Sequence, residues 1–226
     1  LRKSALPVKK NQPTTKTAVM DAAERLFAAR GFKSTSLRAI TAAARANLGA
    51  VNYHFATKDA LILAVLSRRM KPLNERSAAL LDRFEQAGAG RPVDVEKILE
   101  ALFRPALELI AKRAPGGRNF LRLMAFTFAE PGDYLKPLIE EQLSGKLRRF
   151  HKALRRVMPG LTEADAFWKM HFSYGAFVHT VSNPHILEFT SGGFCRVADP
   201  EKTLLRIVAF CAAGFRAGNN TPRNQK

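Results

Sequence analysis

The chain has 226 residues, 46% of them hydrophobic, with 37 Lys and Arg against 19 Asp and Glu for a formal net charge of +18. No apolar run approaches the ~20 residues of a membrane span. The basic segment 1–16 has no apolar stretch of the secretory type, and Cys195 and Cys211 are too few for a disulfide framework, so a cytoplasmic setting is expected. Helical periodicity runs through the chain and strand alternation is nearly absent, which predicts an all-α fold. Residues 1–13 read as a flexible basic arm. Val19, Ala22, Ala23, Leu26 and Phe27 recur at helical spacing over about 14–29, and Gly31 stops that helix. Thr35 or Ser36 caps a second helix with Leu37, Ile40 and Ala44 inside, and a third short element spans about 48–54. Thr57 caps a fourth helix, with Asp59 in its first turn and Leu61, Ile62, Val65 and Leu66 inside, which Pro72 bends or ends. Further helices are expected at about 74–87, 93–113 (kinked at Pro105), 118–129 and 134–157. Thr162 caps the next, which stops near Asn183-Pro184. Asp199 and Pro200 open the last, which runs to about Gly218 before a tail at 219–226.

This order predicts an N-terminal helix-turn-helix domain at 14–58 and a larger helical regulatory and dimerisation domain at 59–218. The charge is uneven in the same sense. Residues 1–71 hold 14 basic and 3 acidic residues, whereas 72–226 hold 23 and 16. Such a field fits a nucleic acid, an anionic membrane surface or plain solubility, and charge alone does not separate them. The segment "NLGAVNYHFATK" (47–58) argues for DNA. A recognition helix must be thin to enter the major groove, which Gly49 and Ala50 allow. Asn47 and Asn52 can reach base edges or phosphates, and Tyr53 and His54 can donate to phosphate oxygens. Phe55 turns back into the core. Thr57 and Lys58 open the next helix, whose free N–H groups suit a phosphate. Thr35, Ser36, Arg38 and Leu48 complete the expected DNA-binding set.

The run "AAERLFAARGFKSTSLRAITAAARANLGAVNYHFATKDALI" resembles the N-terminal domain of TetR-type transcriptional regulators over about residues 14–66. The family's usual turn glycine is Arg45 here, and its usual tyrosine slot is Asn52, with Tyr53 one place on. "NLGAVNYHF", "AFWKMHFSYGAF" (166–177) and "FCAAGFRAG" (210–218) are similar to the PsrA-type, fatty-acid-responsive branch. The resemblance implies a homodimer on a pseudo-palindromic double-stranded operator, repression by occupancy, and a pocket for a hydrophobic small molecule, a long-chain fatty acid or an acyl-CoA. It implies no other cofactor. The Phe- and Met-rich central helices supply the expected pocket: Leu102, Phe103, Leu107, Phe120, Leu123, Met124 and Phe128, with Tyr174. Arg118, Arg122, His171 or His179 would meet a head group. The expected dimer face holds Phe167, Phe172, Phe177, Phe210 and Phe215. Gly175, Ala176, Ala212, Ala213 and Gly214 are small enough to let helices approach closely.

Enzyme readings find no Gly-rich phosphate loop, no nucleophile elbow and no paired carboxylates. His151, His171 and His179 lack metal-ligand spacing. Three alternatives stay open: a TetR-type regulator with a different hydrophobic inducer, a sequence-independent architectural DNA binder, and a basic protein of the membrane surface.

Overall fold

Each of the first four helices starts at a side-chain cap. Thr14 Oγ1 accepts from the Thr17 N–H, Ser36 Oγ from Ala39, Asn47 Oδ1 from Ala50, and Thr57 Oγ1 from Ala60. They open α1 (Thr15–Arg30), α2 (Leu37–Ala44), α3 (Leu48–Phe55) and α4 (Lys58–Ala87). The computed structural model describes residues 14–111, 115–197 and 199–218. The side chains of 110, 111, 115, 118 and 128 lie outside that description, as do the predicted arm 1–13 and tail 219–226. Among the described residues there is no strand.

The stops are as local as the starts. Gly31 leaves α1 at φ 84°, a backbone that favours glycine. Arg45 leaves α2 in the left-handed region at φ 52°, ψ 39°, and the Ala46 N–H then reaches back to the Thr41 carbonyl. That is the glycine-like turn, made here at the cost of a Cβ clash.

Two expectations need correction. No separate helix starts at 74, because α4 continues through Pro72 for 30 residues. The missing Pro72 N–H leaves one carbonyl unpaired on an exposed stretch, while Met70, Leu73 and Ser77 bury the other face and carry the helix across. The helix opened by Thr162 stops at Ser182, as expected, and Pro184 then begins an element that the sequence reading did not include. Pro184 takes the first position of a further helix, α10 (Pro184–Thr190), where its missing N–H costs nothing.

The body contains α5 (Val95–Ala111), α6 (Pro115–Ala129), α7 (Leu135–Leu138), α8 (Ser144–Val157), α9 (Glu163–Ser182) and α11 (Pro200–Arg216). The predicted helix at 134–157 is interrupted between α7 and α8 by a π-helical turn, Ile139–Leu143. Asp199 Oδ1 caps α11 by accepting from Glu201 and Lys202.

Two apolar cores result. One unites α1–α3 with the first half of α4, and it also takes in Phe120 and Leu123 of α6, Tyr134, and Leu138 of α7. The other packs α5, α8, α9 and α11 around Leu99, Phe103, Phe150 and Phe215. The first core therefore runs past residue 58, and α6 and α7 anchor it to the body.

Candidate nucleic-acid interface and body cavity

The acidic and basic side chains of the N-terminal module are sorted in space. Glu24 is almost fully buried and bridges Arg68 (2.5 Å) and Arg69 (2.8 Å) of α4, and Asp21 pairs with Arg68 at 2.7 Å. These contacts neutralise the side of α1 that faces the body. The side chains of Lys16, Arg25, Arg30, Lys33, Arg38, Arg45 and Lys58 have no carboxylate partner among the described residues. Of these, Arg38 and Arg45 place unpaired positive charge beside α2 and α3.

The α2–α3 side is polar and open. Ser36, Arg38, Asn47, Gly49, Asn52 and Thr57 are exposed, Leu48 is 44% exposed, and Tyr53, at 86%, stands clear of the surface. Ala50, His54 and Lys58 are partly covered. The His54 ring lies edge-on between Tyr53 and Phe55, with centroids 5.1 and 6.1 Å away. Phe55 points inward, as expected. Lys58 Nζ donates to the Lys33 carbonyl at 3.4 Å.

Thr35 is a correction. It is fully buried, and its hydroxyl donates to the carbonyls of Gly31 (2.8 Å) and Leu26 (3.3 Å), so it ties the α1–α2 turn instead of facing outward. Ser36 alone caps α2. Asn47 and Thr57 each spend a side-chain oxygen on a cap, which leaves the Asn47 amide N–H₂ free.

In the body, α4, α5, α6, α8 and α9 enclose a cavity of about 280 Å³. Of the expected set, Leu102, Phe103, Phe120, Met124, His171 and Tyr174 line it. Leu107 and Leu123 are buried in the cores beside it, and Arg122 is exposed and off its wall. The Phe128 and Arg118 side chains lie outside the described residues. His179 instead borders a shallower groove of about 490 Å³ with Arg196, Arg206 and Phe210.

The sequence reading missed the polar part of the wall, namely Asn74 and Ser77 of α4 and Lys146 and His151 of α8. The signal was present as helical spacing. Met70, Leu73 and Ser77 share one face of α4, and Leu143, Leu147 and His151 repeat every fourth residue through the π turn. Burial lowers the His151 pKa against a weaker opposing pull from Glu163, so the imidazole is neutral at pH 7.

Of the ten residues expected at a dimer face on α9 and α11, six are exposed: Phe167, Phe172, Gly175, Phe210, Ala213 and Gly214, and Ala176 is partly covered. Trp168, stacked on Phe172, and Leu205 extend that face. Phe177, Phe215 and Ala212 are a correction, since they are interior. No helix among the described residues is long and apolar enough to cross a membrane.

Comparison with known proteins places these parts. Residues 19–65 match the family model "Bacterial regulatory proteins, tetR family", and residues 100–214 match "Tetracyclin repressor-like, C-terminal domain". The chain is 51% identical over 49 residues to the HTH-type transcriptional repressor Rv3405c of Mycobacterium tuberculosis, which covers 22% of the chain and 26% of that relative. It thus spans about a quarter of the length of the curated relatives it matches. Two solved structures share the fold. The fatty acid degradation regulator FadR from Bacillus halodurans superposes with a TM-score of 0.62 at 15% identity, covering 92% of this chain and 100% of that one. A TetR-family transcriptional regulator from Bordetella parapertussis also gives 0.62, at 19% identity, covering 92% and 97%.

Proposed function

The chain belongs to the tetR family of bacterial regulatory proteins, and on that premise we propose that it is a cytoplasmic repressor released from its operator by an apolar acid. Membership makes it a DNA-binding transcription regulator and not an enzyme. The remainder is our reading. A dimer would present two copies of α3 to successive major grooves of a pseudo-palindrome, since one short helix reads too few bases for strong specificity. Of the DNA-binding set, Ser36, Arg38, Asn47, Gly49, Asn52, Tyr53 and Thr57 stay on the outer face, with Leu48, Ala50, His54 and Lys58 beside them. The exposed apolar face of α9 and α11 supports the dimer.

The observation that carries the inducer is the cavity. Its wall is aromatic and aliphatic, with a few polar groups gathered on α4 and α8, which suits a chain with one polar end. The fatty-acid connection of FadR and the PsrA-like stretches favour a fatty acid first and an acyl-CoA second. Ligand would shift the equilibrium only by its difference in affinity for the DNA-bound and released forms, typically about 1–3 kcal/mol. Selection of bound sequences from a random DNA pool tests the first half of the reading, and a palindromic consensus is expected. Titration of that complex with fatty acids and acyl-CoAs of graded length tests the second. Release by a flat aromatic compound alone would leave the regulator and remove the acid.

A further inference from the structure

We propose that the polar end of the cavity, formed by Ser77 and Asn74 on α4 and Lys146 and His151 on α8, is a seat for the free carboxylate of an apolar ligand. The inference deepens the apolar-acid reading above and rests on it.

Four observations carry it. Ser77 Oγ and His151 Nε2 are buried without a hydrogen-bond partner, although both residues border the cavity. Buried polar atoms are almost always paired, so two orphans on one cavity wall call for an explanation. Lys146 Nζ has no carboxylate partner among the described residues and lies 6.0 Å from the Tyr174 ring centre on the same wall. No Asp or Glu lines the cavity, so an entering anion meets a cation and two unused polar groups with no competing charge. Finally, Asn74 is held in place. Its Nδ2 donates to the Gln142 carbonyl at 2.6 Å, inside the π turn, which leaves its second amide hydrogen unspent.

The chemistry selects among apolar ligands. A carboxylate accepts from Lys146, from the His151 ring and from the Ser77 hydroxyl. A methyl ester accepts weakly and carries no charge. A coenzyme A thioester has no carboxylate to seat. The polar end therefore distinguishes a free acid from its activated thioester.

Calorimetric titration of the full chain tests this with dodecanoic acid, methyl dodecanoate and dodecanoyl-coenzyme A. The acid is expected to bind about tenfold more tightly than the ester, the worth of one or two charge-assisted hydrogen bonds. Lys146→Met and Ser77→Ala should each shrink that ratio, with acid and ester affinity compared within the same variant. Lys146 is partly exposed, so Lys146→Met keeps the test open if Ser77→Ala disturbs packing, and the ester titration reports whether either variant retains its cavity. Equal binding of acid and ester, a ratio unchanged in both variants, or tighter binding of the thioester overturns the carboxylate seat and leaves an apolar-chain inducer standing. If neither acid, ester nor thioester binds, the apolar-acid reading falls, and the seat falls with it.

Discussion

At the scale of single residues, two turns make opposite use of the left-handed backbone. Arg45 holds a φ of 52° with a side chain that gains no partner from it among the described residues. Arg45→Gly should relieve about 1 kcal/mol of strain, offset in part by the greater freedom of unfolded glycine, and raise the melting temperature by about 1–3 °C. Its loss of one cation should weaken DNA binding at low salt. Gly31 is the reverse case. At φ 84° its added Cβ would meet Glu130 Oε1 at 2.6 Å, so Gly31→Ala should destabilise by about 2 kcal/mol, read in urea denaturation as a lower midpoint with an unchanged slope. His151 ties stability to pH. Its folded pKa lies below the ordinary 6.5, so the unfolded chain binds the proton first. Stability should fall as pH drops below about 6.5 and level off once the folded protein also protonates, and His151→Leu should flatten that fall. Caps and glycine stops were legible in the sequence because each is settled within four residues. The inward turn of the Thr35 hydroxyl was not, since it depends on how the α1–α2 turn closes to bring the Gly31 and Leu26 carbonyls beside it.

At the scale of elements, α6 joins the cavity to the DNA-binding module as α4 does. Phe120, Leu121 and Met124 of α6 line the cavity. Two turns on, Phe126 packs edge-on against Phe32, and Glu130 accepts from the Lys33 N–H at 2.7 Å. One rigid helix thus touches both the ligand wall and the module that carries α3. Glu130→Ala should leave operator affinity without ligand within about threefold while reducing the ligand-induced loss of affinity by about 2- to 10-fold, measured as the ratio of operator Kd with and without ligand. Such coupling could not be read from sequence. Periodicity says which face of α6 is apolar, but not which neighbour covers each end. The continuity of α4 through Pro72 was hidden for the same reason, because tertiary burial on either side outweighed a local breaking signal.

At the scale of the molecule, the sorting of charge sets how DNA binding should respond to salt. With Asp21 and Glu24 occupied by Arg68 and Arg69, the outward cations act without internal competition. A plot of log affinity against log salt should have a slope of about −0.9 for each phosphate neutralised, and Lys58→Ala should reduce it by about one without changing the preferred sequence. Asn47 needs a more careful substitution than Ala, which would also remove the α3 cap. Asn47→Ser keeps a capping oxygen while losing the amide, so it should relax base preference at one position with little loss of stability. The open face of α9 and α11 should mediate self-association, and Phe210→Glu should shift the protein toward monomer in light scattering and lower operator affinity by more than 100-fold, about 2.7 kcal/mol. The all-helical plan and its division into a small basic module and a larger body were legible from spacing and charge. The cavity was legible only in its aromatic part, because its polar residues come from two helices far apart in sequence.

The π turn between α7 and α8 also makes the length of the chain matter. Each residue of an α-helix advances the side chains by about 100°. Straightening 139–143 into an ordinary helix without removing a residue would keep its hydrogen bonds sound and lose no charge, yet it would rotate everything after it by about that angle relative to α7. Leu138 would remain in the first core, while Lys146, Leu147 and His151 would swing off the cavity wall together. Close relatives that lack the π turn should therefore need one residue fewer in this stretch to bind what this chain binds, even where every lining residue is identical.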